Sequence, residues 1–185
     1  MKIQKHVALL AAIVITFAFT TGIFGQNKVN SDSEALAKAW FDEALLETDN
    51  ARKIEDYDNV LRLNPTIADA YNNRGVAKKH LGRFAEAIVD YDRAILLKPD
   101  FAVAYFNRGD AKKALGQYEN ALQDFDKAIE LRPNLPHPYG SKGCTLVALG
   151  RHKEALIWLN KCLALDENAR FATHCREEAI KGRKK

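Results

Sequence analysis

From Ala68 onward the apolar positions follow two superimposed periods. The short one is helical. Phe84, Ala87, Ile88, Tyr91, Ala94 and Ile95 fall at i, i+3, i+4, i+7 and onward, which lays one apolar face along a helix. The long one is 34 residues: comparing 68–101 with 102–135, eighteen of 34 positions are identical. A third clear copy spans 136–169, and a worn copy at 34–67 is recognisable only in its second half. Each copy predicts two helices. Leu81-Gly82 closes the first, since glycine readily takes the left-handed conformation after a helix end. Pro99 stops the second, because proline lacks the amide hydrogen that a helix interior needs. Gly116, Pro133 and Gly150 repeat these signals. Gly75, Gly109 and Gly143 sit mid-helix, where glycine costs about 1 kcal/mol against alanine. The expected compensation is close approach of the partner helix at Ala87, Ala121 and Ala155.

These recurring residues resemble the tetratricopeptide repeat family. The matches are Tyr71, Gly75, Ala87, Tyr91, Ala94 and Pro99, then Tyr105, Gly109, Ala121, Phe125, Ala128 and Pro133, then Tyr139, Gly143 and Ala155. Copy four departs with Leu159, Cys162 and Glu167, and copy one with Lys53, as terminal copies that cap a stack do. The resemblance implies an all-α, right-handed superhelical solenoid of helix–turn–helix repeats. It would hold three clear copies, a degenerate N-terminal one and a capping helix at 170–182. It also implies a concave wall of first helices that holds a peptide or helical segment of another protein. The family's wall positions map onto Asp69, Asn72, Val76 and Lys79, then Val103, Phe106, Asp110 and Lys113, then His137, Gly140, Cys144 and Val147, with Asn73 and Asn107 flanking. Phe106 has two readings, a contact for the partner or packing against a neighbouring first helix. The carboxylate clamp of chaperone-binding relatives is not reproduced, since its asparagine position holds Asp42, Val76, Asp110 or Cys144.

The N-terminus is a separate object. Lys2 and Lys5 precede a 13-residue apolar run, Val7 to Phe19, followed by small and polar residues. This is the pattern of an export signal, expected to end after Gly25, with Gly22 as the alternative site and residues 26–33 as a linker. The alternative is an uncleaved anchor over 7–24, an inner-membrane tether facing the periplasm. Either reading puts the repeats outside the cytoplasm, periplasmic or secreted.

Charge and chemistry narrow the function further. The net charge of +4 carries no concentrated basic surface beyond the end "KGRKK", of which 183–185 is read as a basic tail, so nucleic acid is not an expected partner. Basic residues Arg74, Arg108 and Lys142 alternate with acids Asp56, Asp90 and Asp124. A within-copy register pairs Arg74 with Asp90 but sets Lys142 against Trp158. A between-copy register pairs Asp56–Arg74, Asp90–Arg108 and Asp124–Lys142, leaving Trp158 to Arg176. The second matches at every step and is the expectation. Cys144, Cys162 and Cys175 are an odd set. A 162–175 disulfide is the conceivable pairing, with Cys162 otherwise a buried thiol. No CxxC or HxxxH pattern, phosphate loop or nucleophile elbow is present, so neither metal, cofactor nor catalysis is expected. The sequence points to an exported interaction scaffold. Its rival is an assembly subunit of an envelope complex or a self-associating repeat protein; the oligomeric state stays open.

Overall fold

The computed structural model describes residues 26–182, so the expected leader or anchor and the basic tail at 183–185 lie outside the described residues. Among the described residues there are nine α-helices and no strand. They are α1 Gln26–Leu46, α2 Asn50–Leu63, α3 Ala68–His80, α4 Phe84–Leu97, α5 Ala102–Ala114, α6 Tyr118–Leu131, α7 Pro136–Ala148, α8 His152–Leu165 and α9 Arg170–Gly182. Each odd helix packs on the even helix after it, each pair packs on the next, and α9 lies against both α7 and α8. The architecture is an all-α repeat solenoid. Residues 26–33, expected as a linker, are helical and form the start of α1, which begins at Gln26. Among the described residues no helix is long and apolar enough to cross a membrane.

The turns follow from the glycines. Gly82, Gly116 and Gly150 have φ of 74°, 74° and 72°, the left-handed region that side chains avoid. After α3, Gly82 N–H donates to Lys79 C=O at 3.0 Å and Arg83 N–H to Lys78 C=O at 2.9 Å, which satisfies two orphan carbonyls of the helix end. The second helices stop where the prolines predict, and α8 stops at Leu165 even though Glu167 replaces the proline.

Small residues bring the helices together and one large residue per copy fills the space between them. Ala70, Ala77, Ala87 and Ala94 are buried in the copy of Tyr91, and Ala104, Ala111, Ala121 and Ala128 in the copy of Phe125; Tyr91 packs with Ala87 of its own copy and Ala111 of the next, and Ala70 with Tyr57 and Val60 of the copy before. Copy four buries Leu159 and Cys162 at the corresponding places. The mid-helix glycines answer first to these large side chains; at Gly143 the expected approach at Ala155 is present too, with that residue's carbonyl 3.3 Å from where a Cβ would stand. A Cβ on Gly75 would lie 2.7 Å from the Tyr91 ring, one on Gly109 2.8 Å from the Phe125 ring, and one on Gly143 2.5 Å from Leu159. Gly75→Ala should therefore lower stability by about 1 kcal/mol, the overpacking cost outweighing the gain in helix propensity. Urea denaturation with an unchanged m-value checks this; a more stable variant would show that the Tyr91 ring yields freely.

Candidate functional site

The ionic ladder fixes how the repeats register. Arg74 donates from Nε and Nη2 to both oxygens of Asp90 at 3.0 and 2.6 Å, and from Nη1 to Asp58 at 2.6 Å. Arg108 does the same with Asp124, at 2.9 and 2.6 Å, and with Asp92 at 2.6 Å. Lys78 and Lys112 add a second cation to Asp90 and Asp124 at 2.7 and 2.8 Å. The register is thus within each copy, which corrects the expected Asp56–Arg74, Asp90–Arg108 and Asp124–Lys142 pairs. The link between copies runs instead through Asp58, Asp92 and Asp126, each two residues further on, the last paired with Lys142. Trp158 meets Lys142, whose ammonium lies 3.6 Å from the ring centroid, and not Arg176. Burial opposes the charge on Arg74, but its bonds to Asp90 and Asp58 outweigh it and hold the guanidinium above its ordinary range.

Copy one lacks these cations. Trp40 and Ala44 stand at the places of Arg74 and Lys78, so among the described residues Asp56 is buried without an ion pair. Burial, then the charges of Glu43, Glu47 and Glu55, push its carboxyl up to about 6 against the pull of Arg52.

With the ladder inside the stack, the wall of first helices is left to face outward, and its three stretches differ. At the N-terminal end two clefts meet at Asn73. One, of about 500 Å³, lies between α1 and α3, with Phe41, Ile67 and Asp69 among its lining. The other, of about 300 Å³, is lined by Leu45, Tyr57, Val76 and His80, among others. In the middle, Asp110 gathers Lys113 at 2.8 Å, Lys79 at 3.7 Å and the Ser141 hydroxyl at 3.4 Å, which joins α3, α5 and α7 by a polar strip. Beneath it Asn107 donates to Asn72 at 3.0 Å, and both are buried. These two asparagines brace neighbouring first helices and are not offered to the groove. Val103 and Val147 are half-buried, Val147 against the core of the last copy.

At the C-terminal end the capping helix covers part of the wall. Phe171 of α9 stacks on His137 at 5.9 Å and 19°, and His137 in turn meets Phe106 at 6.2 Å. Phe106 also packs 6.1 Å from Phe125, so it has a partial core partner. Gly140 is buried under Phe171, whose ring would collide with a Cβ there. Cys144 is bonded to Cys175 of α9, Cα to Cα 5.3 Å, while Cys162 is a free, buried thiol. This overturns the 162–175 pairing: Cys162 points into the core beneath Gly140, and Cys175 meets the wall of α7 instead. The groove residues missed in the sequence are Phe41, Leu45, Tyr57, Ile67, Ser141 and Phe171. Phe41 and Leu45 carried a signal, being spaced i, i+4 in the worn copy.

Models of the tetratricopeptide repeat match residues 68–101, 102–135 and 136–168. The chain belongs to the tetratricopeptide repeat family. No curated protein sequence matches it. Among solved structures it is similar to a crystal structure of MamA, 26% identical over 77% of this chain and 81% of that one, with a TM-score of 0.64. It is also similar to the first tetratricopeptide domain of Spaghetti (RPAP3) bound to the HSP90 peptide SRMEEVD, at 24% identity, 64% and 96% coverage and a TM-score of 0.62. The TPR2B domain of yeast Sti1, in its pHsp70 complex, gives 24% identity, 62% and 96% coverage and a TM-score of 0.59. Within this tetratricopeptide array the family models match the copies from residue 68 onward. The α1–α2 pair completes the stack through Trp40, Phe41, Tyr57 and Val60, packed against Ala70 of the next copy.

Proposed function

We propose that this chain is an exported, non-enzymatic scaffold that holds an extended or helical segment of a partner protein in its concave groove. The observation that carries the reading is the groove's division into an apolar cleft at Phe41 and Ile67, a polar strip at Lys79, Asp110 and Lys113, and an aromatic end at Phe106. That mixture suits an amphipathic segment better than a highly charged one. The HSP90 peptide on the Spaghetti domain supports use of the same fold for a peptide. It does not support the same peptide, because Asp42, Val76, Asp110 and Cys144 stand where the clamp has asparagine. Lys79→Glu with Lys113→Glu reverses the strip's charge at half-buried positions while leaving the core intact. Affinity capture from native envelope fractions should lose at least one protein in this double variant, with helicity unchanged. Capture that survives would move the binding surface to the convex side.

The export half of the proposal rests on the sequence of residues 1–25. N-terminal sequencing of the exported protein should begin at Gln26. Retention of Met1 or Lys2 would make 7–24 an anchor. A second reading, an assembly subunit, is favoured by Val89 and Leu96, 66% and 68% exposed and seven residues apart on the outer face of α4.

A further inference from the structure

We propose that the Cys144–Cys175 bond is a redox latch that fastens the capping helix over the last quarter of the groove, and that a dithiol reductant opens it. The inference rests on the groove reading only for what the opened wall would do. Three observations carry it.

The bond joins a wall position of α7 to the capping helix across 31 residues of sequence. The first turn of that helix covers the wall at Gly140, on which Phe171 lies, while His137, stacked on the same ring, stays exposed. Releasing α9 would extend the open wall from His137 to Gly140 and Cys144.

The cap packs through small side chains, which join the core of Leu146, Leu159 and Cys162. Within α9 only Ala172 and Ala179 are buried, whereas α4 and α6 each bury an aromatic ring among their alanines. Phe171 and Ile180 stay 41% and 37% exposed. The interface also carries two buried polar atoms with no hydrogen-bond partner among the described residues, Arg176 Nε on α9 and His152 Nδ1 on α8, where the His152 ring crowds Gly182. Each such atom disfavours the docked state, because undocking returns it to water. An interface of alanines with two unsatisfied donors or acceptors leans on its covalent bond.

The bond is also within reach. Cys144 and Cys175 are half-buried, while Cys162 is fully buried and its thiol pushed up by that burial. A thiolate of the reductant attacks Cys175 Sγ, the Cys144–Cys175 bond breaks, and Cys144 leaves as a thiolate and takes a proton. The reductant's second thiol then attacks the mixed disulfide and frees Cys175. The reductant ends as a disulfide, and the protein gains two electrons and two protons.

The test uses the mature chain, oxidised and then reduced with dithiothreitol, and Cys144→Ser/Cys175→Ser without reductant. Amide exchange in α9 should rise by about tenfold or more in both reduced and double-variant protein, with α3–α6 unchanged. Cys162, masked in the oxidised chain, should become alkylated by N-ethylmaleimide at a similarly raised rate. Exchange in α9 within about twofold of the oxidised value would overturn the latch. Protection lost through α3–α6 as well would overturn it too, making the bond a staple of the whole solenoid. Neither readout depends on a partner, so failure here is distinct from failure of the groove reading.

Discussion

Arg108→Leu should cost about 3 kcal/mol of unfolding free energy, the largest effect expected of any single ladder residue. The guanidinium makes three hydrogen bonds at 2.6 to 2.9 Å, two of them to Asp124, whose side chain is only 5% exposed. Leucine leaves that carboxylate buried with Lys112 alone, at 2.8 Å. The remaining lysine keeps the cost below the upper end for breaking a buried pair. Double-mutant cycles should rank the partners. Coupling of Arg108 with Asp124 should be on the order of 2 kcal/mol, and with Asp92, 54% exposed, under about 1 kcal/mol. Coupling with Asp90 should be near zero, since Asp90 belongs to Arg74 and Lys78. A large Arg108–Asp90 term would restore the between-copy register and sink the one described above.

That register shows what the sequence could and could not carry. The 34-residue period, the left-handed glycines and the stopping prolines are local or repeated signals, and each lands where the pattern put it. The ladder was harder because the second helices of the first three copies each carry two aspartates, at 56 and 58, 90 and 92, 124 and 126, where the fourth has Trp158 and Asn160. Residues two apart on a helix point about 200° apart, so one acid turns to its own copy and the other to the next. Considering only the first of each pair left two registers, and counting matches chose the wrong one. Lys142 against Trp158 looked like a mismatch, although a cation over an indole face is a favourable contact. The largest partners of the mid-helix glycines are hard to read for a similar reason. Sixteen residues on from each lies a tyrosine, phenylalanine or leucine, four residues beyond the alanines, of which Ala155 does approach its glycine. The disulfide lay beyond the repeat logic altogether. Copy periodicity says nothing of the angle at which a non-repeat helix crosses the stack, and that angle brings Cys175 to Cys144. Of the charged wall residues that the resemblance names, Lys79, Asp110 and Lys113 meet in one strip, and Asp69 lines the N-terminal cleft instead. Asn72 and Asn107 were misplaced because a hydrogen bond between consecutive first helices takes both out of the groove.

Asp56 gives the first copy a pH response of its own. Its carboxyl is pushed up to about 6 in the folded chain, while an unfolded aspartate titrates near 3.9. Between about pH 4 and 6 the folded state therefore holds a proton that the unfolded state has lost. By linkage the stability contributed by Asp56 falls as pH rises through that window, and above it the folded state carries a buried anion without an ion pair among the described residues. Allowing for solvent screening, the penalty at pH 7.5 is about 1–2 kcal/mol. Asp56→Asn removes the titration and keeps the shape. The variant should be more stable than the parent by about that amount at pH 7.5, and the gap should close as the pH falls from about 6 to about 4, half of it remaining near pH 5. The effect should concentrate in α1 and α2, where amide exchange in the parent should slow relative to the variant as the pH falls. The paired aspartates serve as the contrast: Asp90 and Asp124 are as deeply buried but each holds an arginine and a lysine, so Asp90→Asn should destabilise at pH 7.5 rather than stabilise. A stability difference between parent and Asp56→Asn that stays flat from pH 4.5 to 7.5 would show that Asp56 finds a cation or water in solution and titrates as an ordinary surface acid.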